Sequence, residues 1–406
     1  MQKKLLAVAV ASALAVPGVA MAQSSVTISG VFKVGVDSYR VSNPAAARAG
    51  LNTSETRITD NSSRIIFGIT EDIGGGLSGI GQLDVRPNLA NNGAGNARTG
   101  FSDVAGGNSW VGLRSTSWGT VTLGRHDLHY GKQPDDTAVN AGALMAAAVS
   151  LMDYVQTTAG NTAIAGATRT NNVIRYDSPN WSGFAFTAAY SANPTSVEAD
   201  LNSPIRRGNA WTINPSYTTS NWQVGWSYWN QKSDGNNGTA PTATAAAGGL
   251  STLGFAAAAG ADQKSNVFYG YMLFGGFKVG LALNKSTVDS VATATGVSTR
   301  IGDRNAWTIP VRWESGPHYV TFHYTKAGNN KAPTAPGSDG ARMWAASYSY
   351  LLSKRTSVGV TIADLNNDTN AAYNFFTNTG GLGSINSALG AGEDGRLYAL
   401  TVRHSF

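Results

Sequence analysis

The chain has 406 residues, a formal net charge of +6 and no cysteine. That excludes disulfides, thiolate metal sites, thiol catalysis and iron–sulfur ligation. Charged residues make up only 13%, against a soluble norm of about 25%, and the mild basic excess does not argue for nucleic acid.

Residues 1–22 read as an export signal. Lys3 and Lys4 form a basic start, residues 5–16 an apolar core broken by Pro17 and Gly18, and Ala20-Met21-Ala22 a small-x-small cleavage site. The mature chain is expected to begin at Gln23 and to form one domain over 23–406. It has no second apolar run suited to a membrane helix, which leaves a soluble exported protein or a membrane β-barrel.

Beyond Gln23 the pattern has period two. Val26, Ile28, Phe32, Val34 and Val36 alternate with Thr27, Ser29, Lys33 and Asp37. Ile65, Phe67 and Ile69 alternate with Arg64, Gly68 and Thr70. The same holds for Val279, Leu281 and Leu283 against Lys278, Gly280 and Asn284, and for Trp307, Ile309 and Val311 against Thr308 and Arg312. Sixteen strands are predicted: 25–37, 63–73, 76–86, 108–115, 119–126, 171–178, 182–190, 209–218, 221–230, 264–274, 276–286, 304–315, 318–327, 340–351, 354–364 and 395–406. Most approach the roughly 9–11 residues that a tilted strand needs to cross a bilayer core, and an even count suits a closed barrel.

Short connections such as Gly74-Gly75, Gly275 and Gly316-Pro317 alternate with long polar ones, which places both termini on the short-turn side. Trp222, Trp226 and Tyr228 share one parity, as do Trp344, Tyr348 and Tyr350, in the manner of interfacial girdles. A soluble sandwich would also align apolar faces, but rarely needs so many after a signal peptide. The expected fold is therefore all-β, a 16-stranded antiparallel transmembrane barrel with short periplasmic turns, long external loops and a water-filled lumen.

If the apolar parity faces lipid, the wall of the lumen carries Lys33, Arg64, Arg86, Arg169, Arg175, Lys278, Arg312 and Arg403, with Asp37 and Asp84 as its obvious acids. No partner carboxylate for these bases is apparent on the same faces. The 44-residue loop 127–170 is far longer than a hairpin needs, and the lumen is available to it. Folded inward, it would narrow the passage and set Asp135, Asp136 and Asp153 opposite the arginines. Its alanine-rich stretch 137–149 is a candidate short helix. Catalytic and cofactor motifs are thin: there is no GxGxxG after a strand, no P-loop and no HExxH. The five histidines are scattered, so no enzyme, cofactor or metal site is expected.

Several segments, in order along the whole mature chain, resemble the general diffusion porins of Gram-negative β-proteobacteria. They are Ser24-Ser25-Val26-Thr27, Ser63-Arg64, Thr70-Glu71-Asp72-Ile73-Gly74-Gly75-Gly76-Leu77, Gly119-Thr120-Val121-Thr122-Leu123-Gly124-Arg125, Tyr176-Asp177-Ser178-Pro179 and Arg403-His404-Ser405-Phe406. The resemblance implies a trimeric outer-membrane barrel with its third long loop in the lumen. It implies passive diffusion of small hydrophilic solutes and ions, with a modest preference for anions. Outer-membrane lipid, lipopolysaccharide, periplasmic chaperones and the barrel-assembly machinery would be its partners.

Arg64, Arg125 and Arg169 match basic constriction positions of such porins, while Asn108 stands where an arginine is common. An aromatic end at Phe406 is what the resemblance implies for assembly. Arg125 shares the parity of Val121 and Leu123, which conflicts with a place on the lumen wall unless the strand bulges or ends first. A solute-specific porin, or an adhesin or scaffold barrel using its long loops, are the alternatives.

Overall fold

The computed structural model describes residues 24–46, 49–50, 52–87, 89–90, 105–132, 146–157, 160–165, 169–192, 194, 208–232, 259–292, 297–375 and 389–406. The expected signal peptide, Gln23, Asp135 and Asp136 lie outside these residues, as does most of the stretch 137–149.

The chain opens with β1 (Ser25–Ser42), β2 (Ser54–Asp60), β3 (Arg64–Gly74), β4 (Leu77–Val85), β5 (Ser109–Ser115) and β6 (Gly119–His126). The third long loop holds a one-turn helix, α1 (Val149–Met152), and a small hairpin, β7 (Tyr154–Thr157) and β8 (Gly160–Ala163). Then come β9 (Thr170–Asp177), β10 (Phe184–Ser191), β11 (Asn209–Thr218), β12 (Trp222–Lys232), β13 (Ala259–Phe274) and β14 (Phe277–Ala292). The last are β15 (Ser298–Ser315), β16 (His318–Ala327), β17 (Ala341–Leu351), β18 (Thr356–Asn367) and β19 (Asp394–Ser405).

Every wall strand pairs antiparallel with its neighbours, and β1 closes the ring against β19, from Val31 opposite Ser405 to Ser42 opposite Asp394. On its other side β1 meets both β2 and β3, residues 34–40 facing 54–60 and residues 25–31 facing 64–70. These two are halves of one wall strand, so the barrel has sixteen. The break at 61–63 is built: Ser63 N donates to Asp60 Oδ1 at 2.9 Å, and Lys33 N donates to Ser63 Oγ at 3.0 Å.

Short turns need positive φ. Gly74, Gly75 and Gly76 have φ of 94°, 61° and 77°, a run of left-handed positions that only glycine takes without cost. The side-chain alternation then sorts the faces. Val26, Ile28, Val36, Leu281, Leu283, Val360, Leu400 and Val402 stand exposed on the outside, where lipid rather than water covers them. Trp222, Trp344, Tyr348, Tyr350 and Tyr398 are exposed on the same side.

Three expectations are corrected. The segment 38–62 is not all loop, because β1 runs on to Ser42 and β2 follows. Likewise β13, β14 and β15 extend several residues past the predicted ends. Above the bilayer a strand needs no apolar face, so hydrophobic periodicity fades while the backbone ladder continues. Nor is the inner face polar throughout: Tyr39, Val41, Met343, Leu365 and Leu397 point inward and are buried in one apolar cluster.

Candidate functional site

The third loop lies inside the barrel. Leu151, Tyr154 and Ala163 pack against Tyr39, Met343, Leu365, Tyr373 and Phe375 on one side of the lumen. Met152, Val155 and Ile164 pack against Val173, Trp229, Val267, Ala282 and Val288 on the other. The wall grips the loop mainly by its backbone. His323 on β16 has Nε2 3.1 Å from Ala146 O. Gln263 on β13 donates to Ala163 O at 2.8 Å and accepts from Ala165 N at 3.1 Å. Asn330 donates to Gln156 O at 2.9 Å, and Ala147 N donates to Phe375 O at 3.0 Å. Arg304 on β15 donates to Leu151 O, and to Met152 O at 2.7 Å.

The loop enters through a short 3-10 turn, His129–Lys132, seated on the wall. His129 Nδ1 lies 2.8 Å from Ser227 Oγ, and the Tyr130 hydroxyl lies 3.1 Å from Ser265 Oγ and 3.2 Å from Ser286 Oγ. Burial pushes the His129 imidazole down to about 3 and the Tyr130 hydroxyl up to about 12, so both are neutral at pH 7.

The basic residues gather on the side of the lumen formed by β1, β3, β4, β6 and β19. Lys33 and Arg403 are direct neighbours across β1 and β19, and Arg64 sits opposite Val31 on the same inner face. Lys33 lies within electrostatic reach of Arg64, Arg86 and Arg403, and Arg64 within reach of Arg86 and Arg403. Three of them, Lys33, Arg64 and Arg403, line a pocket with Ser29, Ser62 and Ile66. Among the described residues no carboxylate pairs with Arg64 or Arg403. Arg169 lies among the charges of Asp127, Arg86, Arg125 and Asp84, and its Nε is 3.5 Å from Asp127.

The parity conflict at Arg125 has a physical source. Gly124 adopts φ of 147°, and the β6–β9 register shifts between Gly124 and His126. This irregularity brings Arg125 into the field of Arg169.

The expected lack of partner carboxylates is also corrected. Arg86 forms a bidentate pair with Asp84 at 2.7 and 2.6 Å, and Arg175 one with Asp177 at 2.8 Å on both arms. Arg57 pairs with Asp37, and Arg312 lies 3.1 Å from Glu314. Lys278 sits over the Tyr271 ring at 4.4 Å. Three of these ion pairs join residues two apart along the chain, which puts both charges on one face; that spacing is the available signal. Asp153, the residue that ends α1 within the loop, is 0% exposed, so it does not face the open passage. Sequence reasoning missed Arg304, His323, Gln263 and Asn330, because each acts on loop backbone that has no side-chain signature.

Sixteen strands around a loop-narrowed lumen define a pore-type outer-membrane barrel. The sequence profile of the Gram-negative porins matches residues 7–370, and the chain belongs to that family. Among curated relatives, an outer membrane porin protein of Bordetella pertussis is 28% identical over 214 residues, 49% of this chain and 50% of that protein. Outer membrane porin protein 32 of Delftia acidovorans is 35% identical over 204 residues, 49% of this chain and 53% of that protein. The match thus spans about half the length of these relatives. An anion-selective porin from Comamonas acidovorans superposes with a TM-score of 0.67 at 19% identity, covering 95% of this chain and 100% of that one. OmpT of Vibrio cholerae, solved in a trimer form, gives 0.59 at 10% identity over 94% of this chain and 99% of that one. Both likenesses show the fold. The relatives are channels rather than enzymes, and the outer membrane is where the protein resides.

Proposed function

We propose that the protein is a trimeric pore for passive diffusion of small hydrophilic solutes and ions, with a modest preference for anions. One observation carries this reading: a loop fills part of the lumen and leaves a basic wall, with Lys33, Arg64, Arg125, Arg169 and Arg403 clustered on one side. A basic lining raises the local anion concentration, and salt screens the effect. Arg86, Arg175 and Arg312 lie next to carboxylates and contribute less, and Lys278 is stacked on an aromatic ring. Asn108, in place of a further arginine, moderates the preference.

The anion selectivity of the Comamonas neighbour and the trimer form of OmpT support the same reading. The outward band of Val, Leu and aromatic side chains is the surface for membrane lipid and for neighbouring barrels. Lipopolysaccharide, periplasmic chaperones and the barrel-assembly machinery are the partners such a barrel needs.

The test is the zero-current potential across a planar bilayer under a KCl gradient, at low and high salt. Stepwise current with an anion-positive bias that fades at high salt is expected. Cation preference at low salt would overturn the anion reading, and absence of stepwise current would overturn the channel. Mass measurement in mild detergent decides the trimer, and a single-barrel mass would sink it.

A further inference from the structure

The piece of the third loop that straddles the lumen is α1. Leu151 belongs to the apolar cluster on the β16–β19 side, Met152 to the one on the β9–β15 side, and both are 0% exposed. A helix of one turn leaves its last carbonyls without intrahelical partners. Here the Leu151 and Met152 carbonyls both accept from one side chain, Arg304, whose guanidinium also donates to Asn284 Oδ1 on β14 at 3.0 Å. The Tyr373 hydroxyl, from the connection between β18 and β19, donates to Tyr154 O at 3.5 Å just beyond α1. Arg304 is itself 0% exposed.

We propose that Arg304 is the positioning residue of the constriction: it fixes the height of α1 in the lumen, and through it the width of the water path. This rests on the channel reading above. The other wall side chains that hold the loop reach it elsewhere: His323 at Ala146, Gln263 at Ala163 and Ala165, Asn330 at Gln156. Arg304 alone among these side chains bonds α1 itself, and it ties two successive carbonyls of the loop to two neighbouring strands. A planar fork of fixed donors suits that task, and an ammonium or an amide does not reproduce it. Without the fork, two buried carbonyls lose their donors, and their unmet hydrogen bonding draws α1 toward lumen water. Because the contacts are to backbone, the side chains of the loop are free to vary while its position stays set from β15.

Two measurements on full-length protein in detergent and in bilayers test this. The variants are Arg304→Met, which fills similar space without donors, and Arg304→Gln, which keeps a donor for one carbonyl. Arg300→Gln, on the same strand but partly exposed and paired with Asp289, is the control. Hydrogen exchange should show protection of the amides of residues 147–153 falling at least about tenfold in Arg304→Met, less in Arg304→Gln, with the strands unchanged. Neutral sugars of graded size should enter liposomes bearing Arg304→Met at sizes that the parent protein excludes, while its ion selectivity at low salt moves less than that of Arg64→Gln. Unchanged loop protection and an unchanged exclusion limit in folded Arg304→Met would overturn the proposal. So would failure of both variants to form barrels, which would make Arg304 a determinant of the wall and not of the loop. If the parent protein passes no current, the channel reading fails, while exchange still tests the anchor.

Discussion

Asn108 and Asp127 hold each other by two reciprocal hydrogen bonds. Asn108 Nδ2 donates to Asp127 Oδ2 at 2.9 Å, and Asp127 N donates to Asn108 Oδ1 at 2.8 Å. The amide fixes the carboxylate at the mouth of the third loop, where its other oxygen faces Arg169. An arginine at position 108 would have met this acid with a charge; the asparagine leaves the acid to offset Arg169.

Replacing Asp127 by Asn should therefore raise anion preference. A unit charge about 4 Å away in water is worth about 1 kcal/mol, so the ratio of anion to cation permeability should rise by up to about fivefold at low salt and less at high salt. Reversal potentials under a KCl gradient read this directly. An unchanged potential would mean that Asp127 is remote from the ion path.

Neutralising the wall should depend on pairing. Arg64→Gln should lower anion preference more than Arg86→Gln, because Asp84 already balances Arg86. Arg403→Gln should act in the same direction as Arg64→Gln, since both side chains line one pocket with Lys33. Guanidinium stays charged at working pH, so the bias should hold from pH 5 to 9. Equal effects from Arg64→Gln and Arg86→Gln would mean that the pairing with Asp84 does not shape the field in the passage.

Acid should loosen the entry to the third loop. The buried His129 is held near 3, whereas in an unfolded chain it takes a proton near 6.5. Between those values the unfolded state binds the extra proton, so stability is lost as pH falls through that window, by about 1.4 kcal/mol per pH unit at most. His129→Gln should flatten the slope of thermal unfolding temperature against pH between 6.5 and 4. The same slope in parent and variant would assign the acid sensitivity to another group.

Phe406 continues the β1 ladder, accepting from Gly30 N at 3.0 Å and donating to Gly30 O at 3.1 Å. Its ring packs 5.1 Å from that of Phe32, over the bare Cα of Gly30. Phe406→Ala should remove this aromatic pair, worth about 0.5–1.5 kcal/mol beyond the lost burial, and lower the yield of folded barrel in outer-membrane fractions. A normal yield would deny the residue an assembly role.

The membrane-crossing part of the fold was legible because lipid demands an apolar residue at every second position: Leu281 and Leu283, or Leu400 and Val402, declare their face. Where that demand ends, so does the signal, and β2 went unseen although Arg57 and Thr59 alternate with Ile58. The inward basic residues could be read from the same parity. Their pairing is legible in the spacing of Asp84 and Arg86, which sets both charges on one face. The grip on the third loop was not legible, since Arg304 and Gln263 serve carbonyls contributed from far along the chain.

The pairing of Val31 with Ser405 joins the two ends of the wall, and it has a cost in time. Until β19 exists, β1 presents an unpaired edge, and the last strand made up to that moment presents another. Each is a template on which a second chain can pair. Local hairpins such as β13–β14 can form as soon as they are made, but closure waits for a contact spanning nearly the whole sequence, which makes it the slowest entropic step. The interval before closure is thus when this chain is most exposed to aggregation, and variants that weaken the β1–β19 seam should lengthen it.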